Sequence, residues 1–252
     1  MKWEDRRRSS NVNRGSKAPI AVGGGIGGIV IMLLLYFLGV DPSVVTNDNQ
    51  QVNQNTQIES SEVSKERETL EDFLSVILAD TEDVWHEKFE ENGGTYHEAK
   101  MTLYQDTTKT GCGIAQSRMG PFYCPVDKTV YFDVSFYDDL KSRFGGGGDF
   151  ALAYVLAHEV GHHVQNELGI IKQTNDLRQR LSEKEYNKVS VAQELQADYF
   201  AGLFAYYVKE KGYLEEGDIE EAMNAASAIG DDRIQEMAGR DVDVDSFTHG
   251  SS

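Results

Sequence analysis

The spacing of apolar positions changes along the chain, and each change predicts a different element. From Ile20 to Val40 no charge interrupts the apolar run. At about 1.5 Å per residue, such a run is long enough to span a bilayer core as a helix. A cleaved signal peptide is the competing reading. The run is long for that role, and no small-x-small cleavage site follows before Asp41-Pro42, which favours an uncleaved anchor. Residues 41–60 are rich in Asn, Gln, Thr, Ser and Val without periodicity, and predict a polar linker. From about 61 to 92 the pattern turns helical. Val63, Leu70, Phe73, Leu74, Ile77, Leu78, Val84, Trp85 and Phe89 recur at three- and four-residue steps, and Gly93-Gly94 ends the run.

Residues 97–104 and 129–136 are rich in Tyr, Val, Phe and Thr and predict strands. The stretch Val130–Asp133 is a candidate edge for an extended peptide to pair with; an ordinary core strand is the alternative. Gly145–Gly148 predict a hinge or spacer, since no Gly-Lys-Ser/Thr ending follows as in a phosphate-binding loop. Asp149 is placed to cap a helix over about 149–168. Further helices are expected over about 190–211, stopping at Gly212, and over roughly 216–229. The chain thus divides into a basic segment 1–19, a transmembrane helix 20–40, a polar linker 41–60 and one domain over 61–252.

Charge adds a direction. Residues 1–19 hold Lys2, Arg6, Arg7, Arg8, Arg14 and Lys17 against Glu4 and Asp5, a net of +4, which leaves −22 for the rest of a chain totalling −18. Basic residues before the span predict a cytoplasmic N-terminus and an extracytoplasmic domain on a single-pass cell-membrane protein. The acidic body argues against nucleic acid as a partner, because phosphate binding needs a cationic surface. Gly23, Gly24, Gly27 and Gly28 form two overlapping G-x-x-x-G patterns, the spacing of a self-association face; a Gly-rich single span is the preferred reading. Cys112 and Cys124 lack C-x-x-C spacing, so neither zinc nor redox chemistry is suggested. Outside the cytoplasm they would form a structural disulfide rather than two free thiols.

The chemistry concentrates in His158-Glu159-Val160-Gly161-His162. Residues four apart on a helix share a face, so His158 and His162 can grip one Zn2+. Glu159 can then reach a water whose pKa the metal lowers to about 7, and take its proton. Gly161 leaves room for a close neighbour. His163 points off the ligand face and has no assigned role. A third ligand is needed, and Glu194-Leu195-Gln196-Ala197-Asp198 offers two acids four apart. Glu194 is the expected ligand, and Asp198 the residue that orients a ligand imidazole; the reverse assignment is the runner-up. Val191, Leu195, Tyr199, Phe200, Leu203 and Phe204 argue against two merely solvated surface acids. His249 is a candidate to stabilise an oxyanion, with Tyr154 and Tyr199 weaker candidates. His86 and His97 read as structural.

Further blocks accompany the motif: Lys2-Trp3, Arg6–Arg8, Ser10-Asn11-Val12, Arg14-Gly15, Cys112-Gly113, Gly120-Pro121-Phe122-Tyr123-Cys124-Pro125, Tyr131-Phe132-Asp133, Ile229-Gly230-Asp231-Asp232 and Ser246-Phe247-Thr248-His249-Gly250. With His158–Gln165 and Gln193–Asp198, they make the chain resemble the neutral zinc metallopeptidase family of bacterial membrane-anchored proteins. The resemblance implies an α+β, zincin-like fold with a motif helix, a Glu-bearing helix and a small sheet. It also implies zinc and hydrolysis of a peptide or protein substrate. Such proteins usually continue beyond Thr248-His249-Gly250 with an aromatic- and Arg-containing tail, and this chain stops at Ser252. Two other functions fit the same residues: a catalytically inactive, membrane-tethered binding module, and a cell-wall amidase. Retention of Glu159 speaks against the first; nothing in the sequence separates the second from protein cleavage.

Overall fold

The computed structural model describes residues 1–14, 54–116, 120–136, 148–228 and 243, with residues 54–64 described by backbone alone. The expected transmembrane helix 20–40, most of the linker, Gly145 to Gly147, the segment 229–232 and His249 lie outside the described residues. Among the described residues, no helix is long and apolar enough to cross a membrane. The architecture is mixed α+β, as expected.

Strands β2 (Lys100–Tyr104) and β6 (Thr129–Asp133) form the centre of a four-stranded sheet. Strand β1 (Val12–Arg14) lies parallel to β2, and β5 (Phe122–Cys124) antiparallel to β6, giving the order β1-β2-β6-β5. All five residues of β6 are buried, as an interior strand requires. The expectation that Val130–Asp133 offers a free edge is therefore corrected for Val130 and Tyr131, which pair with β2 on one side and β5 on the other. A separate hairpin pairs β3 (Thr107–Thr110) with β4 (Gly113–Gln116). The disulfide Cys112–Cys124, with 5.9 Å between Cα atoms, ties this hairpin to β5.

Five helices complete the described fold: α1 (Gln54–Glu91), α2 (Asp149–Glu167), α3 (Ile170–Arg178), α4 (Glu183–Glu210) and α5 (Asp218–Ala228). The motif helix α2 is buried along most of its length, and α4 and α5 pack against it. Asp149 is the first residue of α2, not its cap. The cap position is Gly148, and the Phe150 N–H donates instead to Glu221 of α5 at 3.2 Å. A Cβ at Gly148 would lie 1.8 Å from that carboxylate, so any larger residue there would push the Glu221 side chain aside. Helix α3 was not foreseen, and α4 starts earlier than expected, at the Ser182–Glu185 capping box. Helix α1 likewise starts early: residues 54–60 of the expected linker are helical.

Residues Met1–Arg14 belong to the same compact unit as Arg67–Ser252; Gly15–Glu66 form the other unit. The N-terminal segment joins the domain through β1 and through ion pairs to α1. Arg6 pairs with Asp80, Arg7 with Glu82 and Asp83, and Arg14 with Glu71 and Asp72.

Two measurements test these contacts. Unreduced protein should carry no thiol reactive to a maleimide, and two after denaturing reduction; two reactive thiols beforehand would contradict the bridge. Burial raises the Asp80 carboxyl to about 7, outweighing the opposing pull of Arg6. The folded chain then holds a proton that the unfolded chain releases between pH 3.8 and about 7. Its contribution to stability therefore falls as pH rises through that window. Asp80→Asn should flatten this part of the stability–pH curve, read by denaturant melts at several pH values.

Candidate metal centre

The apolar run Ala151–Ala157 makes α2 a core helix, which fixes the residues that follow it. One turn apart on that helix, the His158 and His162 rings lie 4.8 Å apart, edge to face. Helix α4 crosses directly over Gly161. A Cβ there would meet the Ala197 carbonyl oxygen at 3.0 Å and the Ala197 Cα at 3.2 Å. The missing side chain lets the helices approach closely enough for Glu194 to reach both imidazoles. Glu194 Oε2 is 3.2 Å from His158 Nε2 and 3.3 Å from His162 Nε2.

The far nitrogens of both rings are held as well. His158 Nδ1 donates to Asp198 at 2.8 Å, and the Tyr154 hydroxyl donates to the same oxygen. His162 Nδ1 meets Gln165 Oε1 at 2.9 Å. The Gln165 amide nitrogen donates to the Gln193 carbonyl at 2.6 Å and to Gln196 Oε1 at 3.0 Å. Both of those partners accept, so the orientation of the amide is fixed and its oxygen must face His162. Each Nδ1 therefore carries a proton, and each Nε2 is directed at Glu194.

This donor set fits a zinc ion. Two imidazole nitrogens and one carboxylate oxygen all lie within 4.8 Å of one another, the ligand types and number of a hydrolytic zinc site. The ionisation balance favours positive charge at this point. Burial opposes a charged His158, but its bonds to Asp198 and Glu194 outweigh this and hold its pKa near about 10. His162 is raised for the same kind of reason, with Glu194 as the opposing partner. Burial works to raise Glu194, yet the two imidazoles hold it well below the usual carboxylate range. The runner-up assignment, with Asp198 on the metal, is disfavoured because Asp198 engages the far nitrogen of His158.

Glu159 sits beside this cluster, partly open to solvent. Burial of its carboxylate raises its pKa against the pull of His162 and His158. His163, left without a role by the sequence, fixes the other side of α2. Its Nε2 donates to the His97 carbonyl at 2.7 Å, and its Nδ1 accepts from the Tyr123 hydroxyl at 3.0 Å. His97 and Lys128 both pair with Glu167, and His86 pairs with Glu98, contacts that are structural as expected.

Some surroundings differ from expectation. Leu195 and Tyr199 are exposed, so the burial of α4 comes from Ala197, Phe200, Ala201, Phe204 and Val208. Tyr154 bonds Asp198, and Tyr199 is 64% exposed. Gln165 and Tyr123 were missed. The available signal for Gln165 was its position three residues after His162, on a neighbouring face of the same helix.

A mixed α+β unit with two histidines of α2 facing a glutamate of α4 defines the chain as a candidate metal protein. It belongs to the family described as "Putative neutral zinc metallopeptidase", whose model matches residues 1–252. The chain is similar to "Uncharacterized protein YpfJ" of Escherichia coli (strain K12), at 47% identity over 100% of this chain and 91% of the relative. It is also similar to an uncharacterized protein of Mycobacterium tuberculosis (strain ATCC 25618 / H37Rv), at 45% identity over 62% of this chain and 56% of that protein. No solved structure matches it.

Gln165→Leu should leave the fold intact and weaken zinc binding by about tenfold or more, because His162 loses the acceptor that orients it. Competition with a chromophoric chelator reads the affinity. An unchanged affinity would remove Gln165 from the metal centre.

Proposed function

We propose that this chain is a zinc-dependent metallopeptidase with a zincin-like catalytic unit, in which His158, His162 and Glu194 hold the metal and Glu159 is the general base. One observation carries the reading: both Nε2 atoms converge on a single Glu194 oxygen while Glu159 stands next to them on the same helix. Family membership supports it. Zinc bound there would supply a Lewis acid for a water and a peptide carbonyl. The protein's own residues do the remaining work. Asp198 and Gln165 hold the ligand imidazoles in one tautomer. Glu159, raised by burial, takes a proton from the attacking water on its carboxylate and returns it to the leaving nitrogen.

The expected outcome is about one zinc per chain, lost in His158→Ala and in Glu194→Ala and kept in Glu159→Gln. Peptide-library cleavage should fall by about 10²-fold or more in Glu159→Gln. Wild-type protein without zinc by elemental analysis would sink the proposal. Equal cleavage by wild type and Glu159→Gln would assign the activity to a contaminant.

A further inference from the structure

The basic residues at the N-terminus suggested a cytoplasmic tail, yet in the fold Arg6, Arg7, Arg8 and Arg14 pair with acidic side chains of α1. Glu82 of α1 is 2% exposed and accepts from Arg7 at 2.8 Å, from Asn11 at 2.9 Å and from the Ser9 hydroxyl. All three donors come from residues 1–14. Arg7 also reaches the Ala79 carbonyl at 2.7 Å. Arg6 pairs with the buried Asp80 and lies 4.3 Å over the Tyr213 ring. Backbone bonds run from Ser9 N–H to the Ser75 carbonyl and from Met101 N–H to the Asn11 carbonyl, and Trp3 packs on Phe73. Strand β1 then completes the sheet against β2.

The rule that basic flanks mark the cytoplasmic side applies to charges left free beside a span. Arg6, Arg7 and Arg14 are instead paired with acidic side chains of α1. One membrane crossing between residues 14 and 67 would carry Arg7, Ser9 and Asn11 about 30 Å from Glu82. It would break all three bonds to Glu82 and take β1 off the sheet, contacts that hold the unit together.

We propose that residues 1–14 are a structural part of the catalytic unit and lie on the same side of any membrane as the metal centre. This replaces the expected arrangement of a cytoplasmic N-terminus and a domain on the opposite face. It is independent of the metal and of the proposed activity.

The test uses the full chain in cells. Ser10→Cys and Lys172→Cys, both at exposed positions, are made separately, with the parent chain as background control. A membrane-impermeant maleimide is applied to intact spheroplasts and to lysates. The two sites should behave alike, either both reacting in intact spheroplasts or both only after lysis. One reacting in intact spheroplasts and the other only after lysis would overturn the proposal. A double-mutant cycle of Arg7→Ala and Glu82→Gln checks the docking itself. Each change should lower the Tm of the full chain by about 5 °C, and the pair by less than the sum. Additive shifts would show that the segment is not docked and would also overturn it.

Discussion

The rest of the site depends on the contact between α2 and α4 at Gly161 and Ala197. With a Cβ 3.0 Å from the Ala197 carbonyl, the helices would have to separate by a few tenths of an ångström or more. Glu194 lies one turn before this contact and Asp198 just after it, so any separation moves both acids away from both imidazoles together. Packing, not ligand chemistry, sets the spacing of the donor set. The apolar residues of α2 and the buried positions Phe200, Ala201 and Phe204 of α4 hold the two helices at that distance.

Around that contact, polar bonds limit what each group can do. Asp198 and Gln165 take the far nitrogens of the two imidazoles, so the near nitrogens have one direction left to face. On the other side of α2, His163, Tyr123 and the His97 carbonyl join the helix to the sheet. The Tyr123 hydroxyl serves twice, bonded to His163 and to the Asn166 amide. Its neighbour Cys124 is bridged to Cys112, so the β3–β4 hairpin is tied to the strand that anchors α2. A rigid shell of this kind is what a metal site needs to hold its geometry.

The N-terminal segment follows the same logic on the far side of the core. Helix α1 buries Glu82 and Asp80, and a buried carboxylate needs partners. Its partners come from the first residues of the chain, which also supply the outer strand of the sheet. Residues separated by more than fifty positions thus form one folded unit.

The sequence by itself determined the main helices, the two central strands and the candidate ligands. Periodicity marked α1, α2, α4 and α5, strand composition marked β2 and β6, and the spacing of His158, His162, Glu194 and Asp198 marked the metal centre. These features are local: ligands one helical turn apart, and apolar steps of three and four, are legible without knowing what they pack against. Only the tertiary structure decided that β6 is interior, that Gln165 and Tyr123 serve the site, that His163 is an anchor, and that the basic N-terminus is bound within the domain. Each of those depends on a partner far along the chain, and a one-dimensional pattern records that a residue is charged or apolar but not which distant group meets it. Arginines at a chain start look the same whether they face a membrane or a buried carboxylate, and the difference lies entirely in the position of Glu82.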